Sequence, residues 1–284
     1  MQQTLNQYEK RLRLAGMQPS TIRSYSHNLK DFFLYTQTVH IDDFMIEDYL
    51  NLKLERGIDK QTYNQIMYSI RWYCLNLQKS SFPLHIRKIQ PRRKIKDIPN
   101  KEKILEAIRQ IEEITEKVIM LLFYDGWLRR SELQILKVKD INLDNREVFV
   151  RSGKGDKDRV ITITKTTAAF ISYYLKFREN QKNPYLLHAI GSDCRYVSKS
   201  YLWDVVNMAG RLAGYETWHP HLMRHSGATH TWLETGDLVS ISDKLGHKDI
   251  TTTMIYLNLT ERNLVRRKTN AVSPLLSYKH GDNH

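Results

Sequence analysis

The sequence predicts a mainly α-helical α+β protein with one small antiparallel sheet. Over most of the 284 residues, apolar side chains recur at the 3.6-residue period of a helix. Only residues 138–163 switch to β-rich, alternating patterning broken by turn residues. The content of 41% apolar residues with 12 glycines and 7 prolines is that of a globular chain able to bury real cores.

Four helical periods precede residue 80. Leu5, Tyr8, Leu12 and Ala15 form the first stripe, and Gly16 stands where a helix end favours left-handed backbone. Ser20, after Pro19, is the expected cap of a second helix carrying Ile22, Tyr25, Leu29, Phe32 and Phe33. Asp42 or Asp43 starts a third with Ile46, Tyr49 and Leu50. Asp59 starts a fourth with Tyr63, Ile66, Met67, Ile70 and Leu77. Helical periods resume after Asn100 with Ile104, Leu105, Ile108 and Ile111, then Val118 to Tyr124, ending at Gly126. Val138 to Leu143, Glu147 to Ser152 and Arg159 to Ile163 read as three antiparallel strands, separated by Asp144-Asn145 and by Gly153 to Asp158. After Lys165 the pattern is helical to the end, punctuated by Gly236, Gly246 and Pro274.

Lysine and arginine outnumber aspartate and glutamate 44 to 31, a formal charge of +13, so nucleic acid is the first partner to consider. Residues 1–100 hold 16 basic against 9 acidic side chains, and the remainder 28 against 22. The excess peaks in R-K-I-Q-P-R-R-K-I-K, residues 87–96, where Arg87, Lys88, Arg92, Arg93, Lys94 and Lys96 occur without an acid. This reads as a basic linker over 87–97 between a helical domain, 1–86, and a second domain, 98–284. Laid along phosphates, such a strap releases counterions and strengthens binding; its plainer reading is a solvated connector. Cys74 and Cys194, the two cysteines, offer neither a disulfide framework nor a zinc knuckle and fit a reducing cytoplasm. The longest apolar run, Val118 to Phe123, is far below the roughly 20 residues of a membrane span. The basic, polar N-terminus predicts no signal peptide.

Several polar residues of the second domain are hard to place as plain surface. Arg129 opens R-R-S-E-L after an apolar helix, and Lys154 lies in the hairpin loop G-K-G-D-K-D-R. His221 and Arg224 are one helical turn apart in H-L-M-R-H, and L-G-H at 245–247 precedes Tyr256. Singly each has an ordinary explanation: a turn, a helix cap, a core tyrosine. Together they suit a phosphodiester. Two planar guanidinium groups offset charge on its non-bridging oxygens. Imidazoles donate to those oxygens or move a proton, a lysine protonates a leaving alkoxide, and a cationic cluster makes a tyrosine hydroxyl a usable nucleophile.

The succession R-x-S-E-L, G-K-G-x-K-x-R, P-H-x-x-R-H and L-G-H followed by Tyr256 resembles the catalytic domain of the tyrosine recombinase or phage integrase family. The front half, with S-T-I-R-S-Y, Leu29 and Phe32-Phe33, is similar to that family's core-binding domain. The resemblance implies the compact, Xer-like two-domain form clamped around duplex DNA. It also implies Arg129 and Arg224 as phosphate-clamping arginines, Lys154 as the hairpin lysine, His221 and His247 as the site histidines and Tyr256 as nucleophile. Glu132 and His225 match too and are expected to be buried supports. Relatives usually carry Thr-Gly where this chain has Gly126-Trp127, and the bulky Trp127 is expected to shift the entry to the next helix.

The expected activity is site-specific DNA recombination through a 3′-phosphotyrosyl intermediate, with no cofactor and no metal. Lys157 and Arg159 join the linker residues as expected DNA contacts. The alternatives are type IB topoisomerase-like relaxation and a catalytically silent DNA-binding regulator. A metal reading of the five histidines between 219 and 247 is disfavoured: H-L-M-R-H lacks the glutamate of H-E-x-x-H and sets an arginine where it repels a cation. Expected partners are double-stranded DNA and further copies of the chain, monomeric in solution and tetrameric on DNA, or a paralogous recombinase, in a nucleoid-associated cytoplasmic setting. The tail, about 260–284, opens with Thr260 as a cap candidate and contains Ala271-Val272 and Pro274-Leu275-Leu276, an apolar segment expected to be covered, either by its own domain or, as the resemblance implies, by a neighbouring protomer.

Overall fold

The computed structural model describes residues 1–90, 98–151 and 158–246. The chain divides into two compact units, Met1–Lys94 and Ile95–His284.

Among the described residues the first unit holds four α-helices, α1 (Gln2–Leu14), α2 (Pro19–Thr36), α3 (Asp43–Glu55) and α4 (Lys60–Tyr73), α4 running on into a π-helical turn, Cys74–Gln78. Their apolar stripes meet in one core around Tyr8, Leu12, Leu29, Phe32, Phe33, Ile46, Met67 and Ile70. Inside it the Tyr8 hydroxyl donates to the Ser69 carbonyl at 2.8 Å, so the ring buries no unpaired polar atom. Asp42, rather than Asp43, caps α3 by accepting from the Met45 N–H at 2.9 Å, and Asp59 caps α4 through the N–H groups of Gln61 and Thr62. The expected Ser20 cap is corrected: Gln18 is the cap position, and Pro19 supplies the helical φ of the first turn. Leu77 lies past the end of α4, in the π-helical turn, and is only partly buried. The start of the basic stretch belongs to this unit. Ile86 and Ile89 pack on its core, and the Asn64 side chain pairs with both the N–H and the carbonyl of Ile89 at 2.8 Å. Arg87 and Lys88 are exposed there, whereas residues 91–97 lie outside the described residues.

The second unit is built on α6 (Ile114–Tyr124), whose run Val118 to Phe123 is buried on every side. A helix apolar all round can only be central. Around it stand α5 (Lys101–Gln110), α7 (Arg130–Ile135), α8 (Lys165–Phe177), α9 (Lys199–Leu212) and α10 (Pro220–Thr235), with α11 (Leu238–Leu245) against α10. The sheet has the order β1 (Ile141–Asn142), β2 (Glu147–Val150), β3 (Arg159–Thr162), all antiparallel. Val148 pairs with Ile161, and both are buried in the core of the unit.

Two sequence expectations are corrected. Val138–Asp140 is a 3₁₀ turn, so the first strand shrinks to Ile141–Asn142; Asp140 is drawn inward instead, and its buried carboxylate receives Arg151 at 2.7 Å. The chain after Lys165 is not helical throughout. Between α8 and α9, Asn180 and Asn183 organise a loop by bonding the backbone of Lys182, Tyr185, Ser192 and Arg195. Among the described residues no helix is long and apolar enough to cross a membrane.

Candidate active site

Arg129 is the first residue before α7, and α7 begins on its own third residue: the Glu132 carboxylate accepts from the Arg129 N–H at 2.7 Å, the return half of a capping box. The same carboxylate gathers cations. Arg129 Nη1 reaches Oε1 at 2.8 Å, Arg159 donates through both Nη atoms at 2.9 Å, and Arg224 Nη1 stands 3.7 Å from Oε2. The Glu132 side chain is 6% exposed. Burial alone would raise its pKa, but the hydrogen bonds and charge of Arg159, the Arg129 N–H and the charge of Arg224 overcome that and bring it down to about 2. Glu132 therefore remains an anion among three guanidinium groups, the buried support that its place in R-x-S-E-L implied.

Helix α10 supplies His221 and Arg224. His219 caps it, Nδ1 accepting from the Leu222 N–H at 3.0 Å, and Pro220 opens its first turn. One turn separates exposed His221 at the positive end of the helix from buried Arg224. Arg224 donates to the carbonyls of Trp127 and Leu245, the latter at 2.7 Å. Arg159 Nε donates to the Lys244 carbonyl at 2.9 Å. The last carbonyls of α11 thus receive two cations, as the negative end of a helix favours. Gly246 ends α11 in left-handed backbone, φ +66°, and a Cβ there would lie 3.0 Å from Arg159 Cδ. The Leu-Gly of L-G-H is in this way a helix stop fitted against the arginine cluster.

Of the six expected catalytic side chains, Arg129, His221 and Arg224 are described, and the first and last share Glu132. Lys154, His247 and Tyr256 lie outside the described residues, as do Arg92, Arg93, Lys94, Lys96 and Lys157. Arg159 is not an exposed contact: its side chain is 8% exposed and its fork is taken up by Glu132. His225 follows Arg224 on α10 and is half-buried. Two participants escaped sequence reading, the Trp127 and Leu245 carbonyls that orient Arg224. Backbone acceptors leave no mark in residue identity; the one available signal was a tryptophan in a glycine-like place.

Two arginines held on one buried carboxylate, with a helix-borne histidine one turn from the second, make a cationic cluster suited to a phosphodiester. Residues 97–263 match the phage integrase family, and the chain belongs to that family. It is 31% identical over 265 residues to the tyrosine recombinase XerA of Pyrococcus horikoshii, covering 92% of this chain and 90% of that one. To XerA of Pyrococcus furiosus it is 32% identical over 268 residues, covering 92% and 91%. The crystal structure of the XerH site-specific recombinase bound to difH substrate in a pre-cleavage complex superimposes with a TM-score of 0.69 at 23% identity, over 93% of this chain and 84% of that one.

Proposed function

We propose that the chain is a site-specific recombinase acting on double-stranded DNA. The observation that carries this is the convergence of Arg129 and Arg224 on Glu132 with His221 one turn away; a pre-aimed guanidinium pair fits a phosphodiester whose oxygens gain charge in the transition state. Likeness to recombinases named XerA over about nine-tenths of both chains supports the same reading.

In the reaction the Tyr256 hydroxyl forms the new phosphorus–oxygen bond, giving its proton to His221, as the bond to the 5′ oxygen breaks. Lys154 protonates that oxygen. Arg129, Arg224 and His247 hold the developing charge. The 3′-phosphotyrosyl ester keeps the bond energy for attack by the 5′ hydroxyl of a partner strand, so neither nucleotide nor metal enters the balance. Arg87, Lys88, Arg92, Arg93, Lys94, Lys96 and Lys157 lie along the DNA backbone. The working assembly is a tetramer of copies, or of copies with a paralogue, on two duplexes in the cytoplasm, joined by exchange of residues after about 268.

The test uses duplex sites recovered from random DNA by binding to the full chain, rebuilt as nicked suicide substrates. Wild type forms a covalent adduct that survives excess EDTA; Tyr256→Phe binds the same duplex and forms none. A Tyr256→Phe adduct places the nucleophile elsewhere, and no wild-type adduct overturns the reading.

A further inference from the structure

Trp127 adopts φ +50° and is 3% exposed. Left-handed backbone is sterically costly for a residue with a Cβ, so a tryptophan kept there is held by its surroundings. On one side lies Gly227 of α10, where an added Cβ would come within 2.7 Å of the indole Nε1. On the other, Lys244 of α11 sets its ammonium 4.2 Å from the indole ring centroid and donates to the Asp125 carbonyl at 2.7 Å. One side chain therefore grips both ends of the turn 125–127.

That turn faces the arginine cluster. The Trp127 carbonyl accepts from Arg224, which also donates to the carbonyl of Leu245, the neighbour of Lys244. The contacts close a ring running from Lys244 to the turn, to Arg224, to Leu245 and back to Lys244. Burial pushes the Lys244 ammonium down, against the pull of Asp125; a partly desolvated ammonium gains more from an indole face and a carbonyl than a hydrated one does.

We infer that Lys244 is a positioning residue for strand cleavage: through the Trp127 ring and the Asp125 carbonyl it fixes the left-handed turn whose carbonyl aims Arg224. This rests on the recombinase reading. It adds a side chain on α11 that does not touch the phosphate, and it makes the seating of α11 a condition of arginine geometry.

The test measures covalent adduct formation by the full chain on the selected nicked duplex at saturating protein, beside the dissociation constant for the same duplex. Lys244→Met keeps the stem and loses the cation and the donor. It should slow adduct formation by about tenfold or more, as a misplaced catalytic group does, with the dissociation constant unchanged within error. Lys244→Arg, which can still cover the indole and donate to the carbonyl, should restore most of the rate. A wild-type rate in Lys244→Met overturns the inference, as does an arginine variant no better than the methionine one, or affinity lost in step with rate. A second measurement is independent of activity. In thermal unfolding, Lys244→Met, Trp127→Leu and the double variant should show coupling, the double losing no more than the larger single. Additive losses overturn the clamp. A wild type that forms no adduct while the cycle shows coupling sinks the recombinase reading and the positioning role with it, and leaves the clamp a packing feature.

Discussion

Glu132, itself buried, meets three guanidinium groups within 3.7 Å, two of them buried with it and that of Arg129 partly exposed, so its charge decides whether that cluster can exist. Removing one partner of a buried ionic group leaves uncompensated charge behind, at about 3–5 kcal/mol. Glu132→Gln should therefore lower stability by that order, although its volume hardly changes. The pH dependence distinguishes charge from shape. The folded pKa is about 2 against an ordinary 4.5, so the carboxylate contributes stability that is fully present above pH 4.5 and lost as pH falls toward 2. A shift of this size is worth on the order of 3 kcal/mol. Denaturant unfolding of both proteins between pH 2 and 6 should show a gap that is wide at the upper end and closes downward. A gap independent of pH would mean that the carboxylate acts through packing alone.

At the scale of elements, the approach of α6 and α10 places Arg224, and it depends on Gly227, where a Cβ would lie 1.9 Å from the Tyr124 carbonyl oxygen. No side-chain rotation relieves a clash with backbone, so Gly227→Ala should cost about 3 kcal/mol or more. Gly57→Ala makes the comparison: φ is +72° there with open space around it, and only left-handed strain of roughly 1–2 kcal/mol applies. Thermal unfolding should rank Gly227→Ala far below Gly57→Ala, and equal losses would refute the packing argument. The same elements show what the sequence could disclose. His221 and Arg224 were legible as a pair because a helical turn is local, and α6 because its apolar run is continuous. The fate of Arg159 was not: its bonds to Glu132 and to Lys244 span 27 and 85 residues, and an arginine in a basic hairpin motif looks the same whether it faces DNA or an internal carboxylate. The loop between α8 and α9 was hidden for a related reason. Its order comes from asparagine side chains bonding backbone, which leaves no apolar period to read.

Over the whole molecule the formal charge of +13 is unevenly spread, and residues 87–96 are its densest run. If that run follows phosphates, each lysine or arginine in it displaces condensed counterion, and the logarithm of affinity falls against the logarithm of salt by about 0.9 per phosphate on B-DNA. Arg87 and Lys88 are exposed on a segment tied to the first unit through Asn64 and Ile89. The basic stretch is thereby anchored at its start, which lowers the ordering cost of laying the rest along a duplex. Replacing Arg92, Arg93 and Lys94 together by alanine should weaken binding and flatten the salt slope by up to about three units. Because phosphate contacts carry no sequence information, the loss should be nearly equal on a selected site and on random duplex of the same length. Fluorescence anisotropy across a salt series on both duplexes measures slope and selectivity together. An unchanged slope would make the stretch a solvated connector. A slope that flattens only on the selected site would mean that these side chains read bases rather than backbone.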